Sequence, residues 1–187
     1  MLPGLGVTSF GWSPAPRNVA GGVAALAKPG ADRGRVAAEE VFVCFSLAGE
    51  ARQAERPPTS LMGAKELLRD AFTTARLGVE IGPDLAVLRE VLSGTRRAFV
   101  HADTFAELAA ALELAETFGF SPVLVGAREA EALLPRIQAR SAGVVLDTLD
   151  PTARLEQLRL PARLAEAGVP FCFGGRPDRM RDRKRVV

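Results

Sequence analysis

The sequence contains few of the side chains that metal sites and catalytic sites use most often. Its 187 residues include a single histidine, His101, and two cysteines. No His-x-His pair can therefore occur anywhere in the chain. Because catalytic zinc normally takes three protein ligands, a zinc site built from several imidazoles is excluded for this chain alone.

Long apolar runs and export signals are also missing. No apolar run approaches the roughly 18 residues of a membrane-spanning helix. The start of the chain, from Met1 to Gly6, has neither the basic region nor the continuous apolar region of a secretory signal. We therefore expect a soluble, cytoplasmic protein without a membrane partner.

Several common site motifs are absent as well. The glycine pairs Gly21-Gly22 and Gly174-Gly175 lack the spacing of a dinucleotide-binding fingerprint, and no glycine-rich loop ends in Lys-Ser or Lys-Thr. No serine occupies the nucleophile-elbow motif that a Ser–His–Asp triad built on His101 would require. The sequence therefore disfavours nucleotide binding and serine hydrolysis.

The two cysteines lie inside the apolar runs Val41–Phe45 and Pro170–Phe173. These runs lack the polar and cationic neighbours that activate a thiol, whereas a small thiol packs well in a core. We predict that Cys44 and Cys172 are both reduced, buried core residues.

The balance of charge does not point to nucleic acid. The chain has 24 basic and 22 acidic residues and a formal net charge of +2, so its surface is mixed in sign. The exception is residues 176–187, which we predict to be a solvated basic tail because six cations crowd there: Arg176, Arg179, Arg181, Arg183, Lys184 and Arg185.

Apolar residues make up 48% of the chain, enough for one domain over residues 1–187 with a substantial core. From about Val36, short β-branched or aromatic runs alternate with longer segments of helical period. This alternation predicts an α/β fold with a parallel sheet. The predicted strands are Glu40–Ser46, Arg97–Ala102, Pro122–Gly126, Gly143–Leu146 and Pro170–Gly174, with a weaker strand at Gly6–Phe10.

The clearest predicted helix is Thr104–Phe118, whose apolar residues repeat at three- and four-residue steps. Thr104 and Glu107 form a capping-box pair at its start, and Gly119 suits its end. Two stretches, Gly11–Arg35 and Ala48–Thr59, are predicted to be long loops that are either functional or linkers. Further helices are predicted over Ser60–Leu77, Asp84–Leu92, Ala127–Ala139 and Pro151–Ala167.

His101 lies at the end of the predicted strand Arg97–Ala102, just before the capped helix. Active sites of parallel α/β folds form at this end of the sheet, and imidazole is a common metal ligand. A lone histidine here can equally well hydrogen-bond a loop carbonyl. Asp103 is a candidate ligand or general base, but the helix dipole also explains a carboxylate beside a first helical turn.

Four blocks of the sequence resemble imidazolonepropionase-like members of the amidohydrolase superfamily, in that family's order. They are Leu5–Phe10 with Asn18–Gly22 and Lys28, Pro58–Gly63, Val100–Leu108 with its alanine-rich helix, and Leu164–Phe171. The resemblance implies a partial TIM-type (β/α) barrel in which parallel strands alternate with helices. It also implies ancestry among metal-dependent hydrolases of non-peptide C–N bonds, which attack small amides or cyclic amides with a metal-activated water.

The resemblance places His101 at a middle-strand metal-ligand position. Asp103, two residues later, is a second candidate ligand because of its place after the same strand. The other family ligands have no counterpart, since Val125–Arg128 occupies the region of the next histidine and Arg176 that of the last-strand aspartate. Asp178 is the candidate catalytic carboxylate by a shift of register, although Arg176 would oppose a bound cation. Zinc or another divalent metal is the implied cofactor, but we expect this chain alone to bind none.

The family barrel has eight βα units, whereas five main strands are predicted for this chain. An incomplete barrel exposes two sheet edges, so we expect self-association or a missing segment that completes the barrel. The first functional hypothesis is an amidohydrolase-like protein, degenerate or a fragment, that is weakly active or inactive alone.

Two other hypotheses belong to different functional classes. One is a non-catalytic ligand-binding or assembly module, with a partner surface formed by Asn18–Lys28 and the loop before Thr59. The other is an unrelated doubly wound nucleotide-type domain, which requires an open sheet with helices on both faces.

Overall fold

The computed structural model of the chain describes residues 8–30, 34–78, 82–147 and 154–175. The described residues contain one seven-stranded sheet whose strands lie side by side in chain order. These strands are β1 (Phe10–Trp12), β2 (Ala20–Lys28), β3 (Arg35–Ser46), β4 (Arg97–Ala102), β5 (Pro122–Gly126), β6 (Gly143–Leu146) and β7 (Phe171–Phe173). β1, β2 and β3 pair antiparallel, whereas β3 to β7 form five consecutive parallel strands.

Helices connect the parallel strands, and the described residues contain two between β3 and β4 and one between each later pair. They are α1 (Leu61–Leu77), α2 (Pro83–Leu92), α3 (Phe105–Phe118), α4 (Leu134–Ala139) and α5 (Leu155–Glu166). Sequential parallel strands joined by helices form a curled half-barrel, which confirms the predicted partial TIM-type (β/α) barrel. In the described ranges, no helix is both long enough and apolar enough to cross a membrane.

Residues at the N-termini of α1, α2 and α3 explain where these helices begin. The Ser60 hydroxyl accepts a hydrogen bond from the Gly63 amide at the start of α1. Thr104 and Glu107 form the predicted capping box of α3. Pro83, which has no amide hydrogen to satisfy, opens α2. The predicted helix starts at Ser60 and Thr104 are therefore confirmed as capping positions.

The main core lies between the helices and one face of the sheet, which we call the helix face. Alternate strand residues such as Val100 and Leu124 pack there with the helices in a single cluster. Phe72 of α1 is 1% exposed, and its ring centroid lies 5.2 Å from those of Phe118 and Phe120. Burial of one such aromatic side chain contributes about 1.5–3 kcal/mol, so this face dominates the stability of the fold.

The opposite face of the sheet, which we call the inner face, carries the other alternate residues. A small cluster of Ala24, Phe42, Cys44 and Phe99 packs on it near β3, with the two phenylalanine rings stacked 3.9 Å apart. Every buried apolar helix residue that the structure describes belongs instead to the helix-face cluster. Helices on one face only are the arrangement of a half-barrel, so the doubly wound hypothesis is wrong.

The prediction of a long loop over Gly11–Arg35 is wrong, because this stretch contains the end of β1 and the whole of β2. Asn18–Lys28 is accordingly mostly strand rather than a glycine-rich loop. The alternation expected of a strand is interrupted by register shifts, one of them beside Gly22. Gly22 has φ +97°, a conformation that glycine adopts freely at a β-bulge. Bulges of this kind interrupt the two-residue alternation of side chains, so the strand cannot be recognised from the periodicity of the sequence.

Smaller differences concern the ends of other elements. Only the second part of the predicted helix Ala127–Ala139 is α-helical, since a 3₁₀ turn at Glu131–Leu133 leads into α4 at Leu134. Pro135 explains the late start, because a proline fits only the first turn of a helix. The segment Ala48–Thr59 is largely irregular, as predicted, with one 3₁₀ turn at Gly49–Ala51.

Some predictions fall on residues whose structure is not described. The weak strand at Gly6–Phe10 is observed only as β1, which begins at its last residue, and residues 1–7 lie outside the described ranges. The predicted start of the last helix at Pro151 and the basic tail 176–187 also lie outside them.

Candidate functional site

The carboxyl ends of β3 to β7 lie along one edge of the sheet because these strands are parallel. We call it the carboxyl edge. Four polar residues lie within the last two residues of these strands or directly after them: Ser46, His101, Asp103 and Asp147. Ser46 is 1% exposed and His101 is 9% exposed, whereas the two aspartates are half-buried. The edge therefore gathers an imidazole, a hydroxyl and two carboxylates.

His101 and Ser46 are neighbours across β3 and β4. Their Cα atoms are register partners, and side chains at paired positions point to the same face of a sheet. Ser46 and His101 lie two residues after Cys44 and Phe99, which pack on the inner face. Because side chains alternate between the two faces of a strand, Ser46 and His101 also lie on the inner face. The Leu47 amide donates to the His101 carbonyl at 2.9 Å, so the strand pairing extends past Ser46.

The row of the inner face that contains His101 becomes apolar and progressively more exposed toward β7. Its members on the next strands are Val125, Val145 and Cys172. Both valines are half-buried and Cys172 is exposed. This row offers a buried polar pair next to apolar surface, which suits a small, weakly polar ligand better than a cation.

Asp103, which follows β4, is held against the end of β5 by an ion pair and by close packing. Its Oδ2 atom lies 3.0 Å from Nη2 of Arg128, with the two side chains 13% and 52% exposed respectively. A Cβ atom on Gly126 would lie 2.2 Å from Asp103 Oδ1, and Gly126 has φ +95°. Only glycine meets both conditions. The carboxylate predicted as a metal ligand is thus already neutralised by a cation from the protein.

Glu107 connects the segments that follow β3 and β4, a role that exceeds its predicted one in the capping box. Its side chain is 4% exposed, and Oε1 lies 2.6 Å from Nη2 of Arg52. Its Oε2 atom accepts hydrogen bonds from the amides of Asp103 at 2.9 Å and Thr104 at 3.1 Å. No local pattern indicates this pairing, because Arg52 and Glu107 are 55 residues apart in the chain.

The first amides of α3 are occupied by acceptors of the protein itself. The Thr104 amide donates to Glu107, and the Phe105 amide donates to Oε2 of Glu129 at 2.7 Å. A helix start binds anions when its amides are unoccupied. An anion at α3 would therefore have to displace a carboxylate.

The carboxyl edge does not fit a catalytic zinc ion. In the part of the chain that the structure describes, no three His, Cys, Asp or Glu side chains lie together as a metal site. His101 supplies one ligand, and Asp103 is paired with Arg128; catalytic zinc takes three. Asp178, the predicted catalytic carboxylate, and Arg176 lie outside the described residues.

Ser46 and Asp147 were not predicted as site residues, although their positions were a usable signal. Ser46 ends the predicted strand Glu40–Ser46, and Asp147 follows Gly143–Leu146, so both fall at the edge where active sites form. Among the described residues, the Ser46 hydroxyl has no hydrogen-bond partner. A buried hydroxyl without a partner costs about 1–3 kcal/mol, so this group does not stabilise the fold.

The two cysteines differ, and the prediction that both are buried is wrong for Cys172. Cys44 is 2% exposed, and burial raises the pKa of its thiol to about 11. Cys172 is exposed because β7 is the last strand of the described sheet. Both are free cysteines, as predicted. The thiol of Cys44 is consequently protonated at neutral pH and is not a nucleophile.

No protein-family model matches the chain, and no curated protein matches it. A solved structure, that of an amidohydrolase from Thermotoga maritima MSB8, is similar with a TM-score of 0.76 and 21% sequence identity. The similarity covers 90% of this chain and 50% of that chain, so this chain spans half the length of that structure. The TM-score shows a shared fold, and at 21% identity the similarity shows the fold alone.

Proposed function

We propose that the chain is an amidohydrolase-like half-barrel, related to hydrolases of non-peptide C–N bonds, and that it is weakly active or inactive alone. The observation that supports this best is the position of His101. The only histidine of the chain is buried on the inner face at the carboxyl end of β4, in a fold shared with an amidohydrolase. Barrel active sites form at that end.

The proposed ligand is a small amide or a cyclic amide, and the proposed location is the cytoplasm. The His101 imidazole can donate a hydrogen bond to the carbonyl of an amide group or accept one from its N–H. Val125 and Val145, which continue the same row, offer apolar contact to the rest of a small ring. In a completed site, Asp178 would be the catalytic carboxylate.

Two observations support weak or absent activity of the isolated chain. The described residues bring one imidazole, and no set of three ligands, to the carboxyl edge. The chain also spans half the length of the similar structure. We therefore propose that this chain binds the ligand and that any hydrolysis by the chain alone is weak.

A second candidate function, a non-catalytic assembly module, is favoured by apolar surface beside β7. Phe173, Leu155 and Leu158 are 55%, 57% and 38% exposed, and β7 ends the described sheet. An uncovered strand with apolar neighbours is a site for pairing with another chain. In this role the chain would associate with itself or take up a segment that completes the barrel.

Ligand binding can be tested through the histidine itself. Because His101 is the only histidine, the imidazole proton signals in NMR report on this site alone. Titration with a five-membered cyclic amide is expected to shift them, and the His101→Ala variant assigns them. Signals that do not move at millimolar ligand, in a folded sample, would contradict the proposed site.

The same samples test catalysis and assembly. We expect zinc, iron and manganese well below one ion per chain, and turnover of the amide near the uncatalysed rate. Near-stoichiometric metal that disappears in His101→Ala, together with turnover, would show an autonomous hydrolase instead. Light scattering separates the second candidate, since a monomer at high concentration would count against the assembly module.

A further inference from the structure

The Asp103–Arg128 ion pair lies where the resemblance predicts metal coordination. Asp103 follows His101 by two residues and lies directly after the last residue of β4. Asp103 is the second candidate ligand of a cation held by His101. The group that meets the Asp103 carboxylate is instead the guanidinium of Arg128, at 3.0 Å.

We propose that Arg128 is a resident counter-cation of Asp103 that takes the place of a metal ion and keeps divalent cations out of the carboxyl edge. The inference rests on the proposed function, since it gives a specific reason why a relative of metal-dependent hydrolases lacks a fitting site. These residues do not fit the implied metal ion, because Arg128 already supplies the positive charge that the Asp103 carboxylate would otherwise take from the metal.

Asp103 is fixed in this arrangement and is not a side chain that can turn freely toward a metal. Its carbonyl accepts a hydrogen bond from the Glu129 amide at 3.0 Å, and its amide donates to Glu107. Its Oδ1 atom packs against Gly126. Arg128, by contrast, is 52% exposed, so its replacement opens no cavity in the core.

The guanidinium acts on a metal in two ways. It occupies an oxygen of Asp103, and it repels any dication that approaches the other. At a separation of about 5 Å and the dielectric constant of water, this repulsion alone weakens binding about tenfold, and a less polar surrounding increases the effect. Removal of the charge should therefore create affinity that the natural chain does not have.

The test is a gain of divalent-metal binding in Arg128→Gln, measured with Mn²⁺ alone. Paramagnetic Mn²⁺ broadens the NMR signals of nearby protons, and the imidazole signals belong to His101 alone. In Arg128→Gln, the Mn²⁺ concentration that half-broadens these signals should fall about tenfold or more relative to the natural chain. Circular dichroism of each variant confirms that it is folded.

Three control variants isolate the cause. Arg128→Lys keeps the charge and should exclude Mn²⁺ as the natural chain does. The double variant Arg128→Gln with Asp103→Asn should lose the gain. Arg136→Gln removes the same charge from another ion pair, with Glu116 at 2.8 Å near the far end of α3, and should leave the Mn²⁺ response unchanged.

The inference is overturned if folded Arg128→Gln binds Mn²⁺ no better than the natural chain, or if Arg136→Gln shows an equal gain. Asp103→Asn alone gives a further test that does not depend on Arg128→Gln. It should not weaken the Mn²⁺ response of the natural chain, and a loss would show that Asp103 already binds metal. Failure of the cyclic-amide titration with the Mn²⁺ gain intact would contradict only the proposed ligand.

Discussion

The helix face and the inner face of the sheet consist of alternate residues of the same strands, yet they differ in burial. On β5, Leu124 is fully buried on the helix face, whereas the next residue, Val125, is half-buried on the inner face. On β4, Val100 is 3% exposed and Phe99 is half-buried. The chain's own helices close the first face, while the second is closed mainly near β3.

This difference separates stability from ligand chemistry. Side chains of the helix face contribute most of the buried apolar area, so substitutions there report on folding. Side chains of the inner face toward β7 contact less of the chain and are available to a ligand or a partner. The carboxyl edge, with His101, Asp103 and Glu107, is where the two roles meet.

The largest expected effect contrasts neighbouring residues of β5. Leu124→Ala should lower the free energy of unfolding by about 2–5 kcal/mol, because it leaves a cavity in a closely packed core. Val125→Ala should cost about 1 kcal/mol or less, because its side chain is already partly in solvent. Urea denaturation measures both losses of stability, provided that the slope of the unfolding free energy against urea concentration stays unchanged.

Equal costs at these two positions would break the comparison, since they would mean that the inner face is packed as tightly as the helix face. In that case a second copy of the chain or another segment would have to cover it. Light scattering of the Val125→Ala sample distinguishes a covered face from a monomer.

A somewhat smaller effect is expected at the carboxyl edge. Glu107→Ala should lower the free energy of unfolding by about 2–4 kcal/mol, because it removes a helix cap and leaves the partly buried Arg52 without its partner. Glu129→Ala is the matched control, since Glu129 also accepts from an amide of α3 but is exposed. It should cost about 1 kcal/mol or less, and thermal unfolding measures both.

The buried strands were predictable because each is a short apolar run bounded by polar residues. Arg97–Ala102, Pro122–Gly126 and Gly143–Leu146 have the predicted bounds, because both faces of these strands carry mainly apolar side chains, which gives nearly continuous apolar runs. The start of α3 was predictable because capping is local, and both partners lie within four residues. The same locality placed His101 at a strand end.

The antiparallel strands and the ionic contacts were not predictable for the opposite reason. β2 has bulges that disrupt its alternation, so no period distinguishes it from a loop. Asp103 and Arg128 are 25 residues apart, and Arg52 and Glu107 are 55 apart. Such pairs form only when the sheet brings neighbouring strands together, and the spacing of residues along the chain does not predict which strands are neighbours. The exposure of Cys172 likewise depends on which strand ends the sheet.

The smallest expected effect compares the covered and uncovered ends of the inner face through their two thiols. Burial raises the pKa of Cys44 from 9.0 to about 11. Below pH 9 the thiol is protonated in both the folded and the unfolded chain. Between pH 9 and 11 only the unfolded chain loses this proton, so stability should fall as pH rises, by about 2–3 kcal/mol in all.

Urea denaturation across this pH range measures the loss, and Cys44→Ala should flatten the curve. The chain has no tyrosine, so no phenol obscures the titration. Cys172→Ala is the matched control and should keep the slope, because Cys172 is exposed in the folded chain. If Cys172→Ala flattened the curve and Cys44→Ala did not, the covered end of the inner face would lie at β7 instead of β3, and the proposed assembly surface would already be occupied.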